Sequence, residues 1–158
     1  MKTRFLFPAK FRILGWLIFI PSLAAAAILI FSDYNLDNYL QSSVFAIINS
    51  DILAKPQYLT VIKNGIGDEI LLVLILIGGL LAGFSKLKNE DELTSQIRYE
   101  SLVWAAYFNF AVMLVATLFI YGLYFLNVMM LNMFSLLFFF IIRFYVMLYR
   151  LKKSVDEE

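Results

Sequence analysis

The chain has 158 residues, 62% of them hydrophobic, against roughly 45–50% in soluble domains, so it reads as one compact membrane domain with no room for a separate soluble one. It contains no Cys and no His, which excludes thiol nucleophiles, disulfides, imidazole acid–base chemistry and metal or haem ligation through those side chains. The formal net charge of +1 hides an uneven distribution of Lys and Arg that bears on orientation.

The first predicted span is 13–31, 19 residues without a charge. Lys2, Arg4, Lys10 and Arg12 precede it as the basic region of a signal peptide would. The apolar stretch is longer than a signal core, and Ile28 to Phe31 continue it past the alanines at 24–27, so a retained helix is expected. Pro21 is expected to kink it, with Ser22 close by to meet the freed carbonyl.

Residues 32–66 carry Asp33, Asp37 and Asp51, but also apolar residues at 36, 40, 44, 47 and 48. That spacing fits one helical face with Asp37, Asn38, Gln41 and Ser42 opposite, which predicts an extracytoplasmic amphipathic helix ended by Pro56. A second short helical piece is expected from Tyr58 to Lys63. Asp33 and Asp37, with Asp68 and Glu69, have the oxygen chemistry of a hard-cation site. A solvated acidic surface is the commoner use of such residues, and no metal site is predicted.

The second span is predicted at 67–85, opened by Asp68 and Glu69, whose charge favours a helix N-terminus. Gly79 and Gly83 form a small-xxx-small pair for close helix packing, expected within the chain, with the alanines at 24–27 as counter-surface. Between Glu100 and Arg143 lie 42 residues without a charge, about 63 Å of helix, twice the thickness of a bilayer core. They predict spans three and four, at about 101–126 and 128–149, joined by a turn near Asn127. Asn89 and Glu92 look like a capping box that would start the third helix near 91, ahead of the membrane. The expected fold is thus all-α, four transmembrane helices in two hairpins plus the amphipathic helix between helices 1 and 2, all in one domain.

Eleven of the 13 basic residues fall before span one, between spans two and three, or at and after the end of span four; only Lys55 and Lys63 do not. The positive-inside rule then puts both termini in the cytoplasm, which for a bacterial chain means a multi-pass protein of the inner membrane.

Arg143 is the costliest residue in this arrangement, an intramembrane charge that pairs within the bundle or handles a ligand or ion. A turn at Asn127 would set it level with Asn109 and Tyr107. Asn109 is expected to cross-link helices. On the cytoplasmic side, Asp91, Glu92, Arg98 and Glu100 offer a charged surface for a protein partner. Here Asp91-Glu92-Leu93, followed by Ile97-Arg98 ahead of the third span, resembles a set of small, uncharacterised bacterial four-helix integral membrane proteins. In those an acidic pair, a hydrophobic residue and a basic residue precede the third helix. The resemblance covers nearly the whole topology. Some of these proteins look like partners encoded beside small helix-turn-helix regulators, which implies a regulatory role; no functional residue carries over from it.

No Ser/His/Asp, HExxH, CxxC or P-loop pattern occurs. The expected function is therefore contact with other proteins, as accessory subunit, anchor or regulator in the bilayer, without catalysis, cofactor or direct nucleic-acid binding. The alternatives are an oligomeric transporter or channel, with homo-oligomers built through Gly79 and Gly83, and an integral membrane enzyme acting on lipid through Glu100 or Asp68 and Glu69.

Overall fold

The computed structural model describes residues 5–32, 40–49, 57–88 and 91–156. Four helices are long and apolar enough to cross a membrane: α1 (Lys10–Ser32), α2 (Gly67–Phe84), α3 (Glu92–Phe119) and α4 (Leu123–Asp156). This is the architecture of a multi-pass membrane protein. A small antiparallel sheet of β1 (Gln41–Asn49) and β2 (Gln57–Gly65) lies between α1 and α2 in sequence. The chain divides into two compact units, one of residues 20–75 and one of residues 1–19 with 76–158.

In the first unit the amphipathic helix expected between helices 1 and 2 is replaced, over the described residues, by the sheet. Val44 pairs with Ile62, Phe45 with Val61, Ala46 with Thr60 and Ile48 with Tyr58. The reason is residue type. Val44, Ile47, Ile48, Thr60, Val61 and Ile62 are β-branched, and Phe45 and Tyr58 are aromatic, so they fit a pleated surface better than a helix. The predicted helical piece from Tyr58 to Lys63 is likewise strand. The ladder continues past Gln41 and Gly65 through the Ile66 N–H donating to the Leu40 carbonyl at 3.0 Å. Asp33, Asp37, Asp51 and Pro56 lie outside the described residues. At the start of α2, Asp68 and Glu69 occupy the first turn, and Asn64 Nδ2 donates to Glu69 Oε1 at 2.9 Å.

The second unit is organised around α4. Phe140 and Phe144 are fully enclosed, beside Ala82, Ala105 and Ser101. Phe84 stacks on Phe140 at 4.8 Å and Phe108 on Phe139 at 4.5 Å, while Phe19 meets Phe138 and Trp16 meets Tyr145. Helices α1, α2 and α3 thus each place an aromatic ring on α4, and such pairs add about 0.5–1.5 kcal/mol each beyond the area they bury. That matters in lipid, where apolar burial alone gives helices no reason to associate and close packing must.

Glycines set the tightest approaches. A β-carbon on Gly15 would run into the α2 backbone at Leu81 and Ala82, and one on Gly78 would stand 2.7 Å from the Phe19 amide nitrogen. Gly79 and Gly83 face α4 instead, against Leu137 and against Phe140 and Ile141, with the Phe19 ring also over Gly79. The counter-surface is therefore α4 and Phe19 where the sequence pointed to the alanines at 24–27.

Helix α3 begins at a cap on Asp91, whose carboxylate accepts the Thr94 N–H at 2.8 Å. The cap is Asp91 where Asn89 was expected; Asn89 itself is outside the described residues. From there α3 runs unbroken for 28 residues. It ends at Phe119, earlier than the predicted 126, because the chain reverses at 120–122 and not at Asn127. Ile120 is extended, with its N–H still bonded to Ala116, and Gly122 takes φ +70°. That left-handed conformation costs glycine nothing, whereas Asn127 sits comfortably inside α4.

Candidate functional site

The densest polar structure among the described residues surrounds the C-terminal end of α2. A helix leaves its last carbonyls without partners from its own backbone, and here each is met from elsewhere. Ser85 Oγ donates back to the Leu81 carbonyl. Tyr145 Oη, from α4, donates to the Ala82 carbonyl at 2.9 Å and in turn accepts from Trp16 Nε1 of α1 at 3.2 Å. The Phe7 N–H donates to the Phe84 carbonyl at 3.0 Å, and the Phe7 carbonyl accepts the Lys86 N–H at 2.9 Å. Arg98 of α3 completes the set, with Nη1 3.1 Å from the Gly83 carbonyl and 3.2 Å from that of Ser85.

Arg98 is buried, and its guanidinium lies 4.6 Å from the centre of the Phe144 ring. A cation at a helix C-terminus faces the negative end of the helix dipole. This arginine therefore belongs to the interior and is not part of the exposed cytoplasmic surface that the sequence suggested. Its stripe on α3, Thr94, Arg98, Ser101 and Ala105, is buried throughout. The small residues at helical spacing were the available signal for that. Nothing in the sequence flagged Trp16, Ser85 or Tyr145 as partners.

The other candidates divide into two places. Asn109 Nδ2 donates to the Asn132 carbonyl at 2.9 Å and to Ser135 Oγ at 2.7 Å, and Ser135 Oγ donates to Asn132 Oδ1 at 3.0 Å. This is the helix cross-link expected of Asn109. Arg143 is not level with Asn109. The earlier reversal of the chain slides α4 along α3, so that Arg143 stands over the Trp104 ring at 5.0 Å. Tyr107 touches the same ring edge-on, its centre 6.3 Å away.

At the start of α3, Asp91, Glu92, Leu93, Gln96, Tyr99 and Glu100 are exposed. Gln96 Nε2 donates to Glu100 Oε1 at 3.0 Å. Hydrogen bonding from Thr94, side chain first and backbone N–H second, holds the Asp91 carboxyl below its ordinary value of 3.8. No group of three or more metal-ligating side chains is gathered among the described residues. Chemically, the α2 end consists of side-chain and main-chain donors turned onto its last carbonyls, an arrangement that fixes a helix terminus. The carboxylates at the start of α3 are instead exposed. No family model, curated protein or solved structure matches the chain.

Proposed function

We propose that the chain is a small polytopic protein of the bacterial inner membrane, folded as two helical hairpins with both termini cytoplasmic. On this reading it works without catalysis, by contact between the start of α3 and a cytoplasmic protein. The observation that carries it is the two-sidedness of α3 ahead of the membrane. One side, Thr94, Arg98 and Ser101, is buried and tied to the end of α2. The other presents Asp91, Glu92 and Glu100 around Leu93 and Tyr99, which are 55% and 70% exposed. Exposed Leu93 and Tyr99 beside carboxylates on a rigid helix give the mixed apolar and polar composition of a protein contact site. The placement of 11 of 13 basic residues supports the orientation. The resemblance to four-helix membrane proteins with an acidic pair before the third helix supports a regulatory role.

The transport alternative is the weaker one, because the Gly79 and Gly83 face on which oligomers would be built is filled by Leu137, Phe140 and Ile141. The test is affinity capture from membranes in mild detergent, with Glu92→Lys, Leu93→Ser, Tyr99→Ala and Glu100→Lys compared singly against the unaltered chain. A soluble protein captured stoichiometrically and lost in these variants, while each still inserts, supports the proposal. Capture that is indifferent to all four removes it.

A further inference from the structure

We propose that Arg143, laid over Trp104, anchors a binding site for the phosphate group of an anionic phospholipid. This rests on no assumption about a protein partner. Arg98 and Arg143 lie at the same level of α4, Arg98 on the Phe144 ring and Arg143 in the adjacent position. Their circumstances differ. Arg98 donates to two main-chain carbonyls. The Nε of each is enclosed without an acceptor, but Arg143 is only half-buried, and among the described residues no main-chain carbonyl bond answers it and no carboxylate pairs with it. The carboxylate one turn before Trp104, Glu100, is engaged by Gln96.

A guanidinium at the edge of a span is costly to leave unanswered. With protein acceptors missing, the remaining oxyanion at that depth is a lipid phosphate. The geometry suits one. An aromatic ring that holds the face of a guanidinium leaves its two Nη groups to make bidentate bonds to phosphate oxygens. Trp104 is 53% and Tyr107 65% exposed, amphipathic rings of the kind that seat at the headgroup level. Arg150, exposed and seven residues further along α4, lies on the same face about 10 Å nearer the helix end. Two positive charges on one face favour an anionic headgroup over a zwitterionic one.

The full chain, purified in neutral detergent, is offered phosphatidylglycerol, phosphatidylcholine or inorganic phosphate, and retention is read by native mass spectrometry. The expected result is preferential retention of phosphatidylglycerol, weakened about tenfold or more in Arg143→Gln, as removal of charge-assisted hydrogen bonds implies. Trp104→Leu keeps the charge but loses the ring, and should weaken retention roughly threefold or more. It carries the test alone if Arg143→Gln does not fold. Equal retention of the two lipids, or no loss in either folded variant, overturns the proposal. Arg143-dependent binding of inorganic phosphate without lipid binding overturns the lipid as source.

Discussion

Two arginines and one aspartate show how placement decides what a charge does. Arg98 satisfies the Gly83 and Ser85 carbonyls inside the protein, so Arg98→Leu strands two buried acceptors. The expected cost is about 2–4 kcal/mol, measured by unfolding in detergent. Arg143→Leu strands none and removes a desolvated charge. It should leave the unfolding midpoint nearly unchanged in the same assay, and a loss as large as that of Arg98→Leu would show that Arg143 has a protein acceptor after all. At Asp91 the folded carboxyl is held below 3.8 by Thr94. A depressed carboxylate stabilises the fold above its unfolded value and loses that contribution as pH falls through the folded one. Proteolysis at the start of α3 should therefore be constant at neutral pH and rise only as pH drops below about 3.8. Asp91→Asn should remove that dependence.

At the scale of elements, the glycines separate close packing from backbone conformation. Gly78→Ala sets a methyl 2.7 Å from the Phe19 amide nitrogen, where neither backbone can yield cheaply, so about 1–3 kcal/mol of destabilisation is expected. Gly122→Ala meets no atom within 4 Å, yet its φ of +70° makes it cost about 1–2 kcal/mol through strain alone. Thermal unfolding checks both, and combining Gly78→Ala with Phe19→Ala should not relieve the first, since the clash is with main chain. The four long helices were legible in the sequence because charges are so costly in hydrocarbon that their absence is itself a signal. The segment between α1 and α2 was not, because apolar residues at 44, 47 and 48 satisfy a helical period as well as a buried strand, and only pairing with 57–65 decides between them. The reversal at Gly122 is not legible because Asn127 is the polar residue of that stretch, whereas backbone conformation, not polarity, makes the turn. The burial of Arg98 is illegible for a related reason: its partners are carbonyls, and carbonyls carry no letter in a sequence.

For the whole molecule, four spans require strict alternation of sides. Reporter fusions after Lys88 and at the C-terminus should both report the cytoplasm, and one at Asn49 the opposite side. A shared answer from the Asn49 and Lys88 fusions would remove α2 as a span. The clamp on the end of α2 adds an order in time. A chain emerging from the ribosome makes Phe7 before α2 and Arg98 soon after it, but Tyr145, which answers the Ala82 carbonyl, and Leu137, Phe140 and Ile141, which fill the space beside Gly79 and Gly83, only with α4. Until α4 arrives, the Ala82 carbonyl and the space beside Gly79 and Gly83 are unanswered. Helix α4 is thus the one that completes α2, and a chain stopped at Gly122 would keep the Phe7 and Arg98 contacts while leaving the Ala82 carbonyl open.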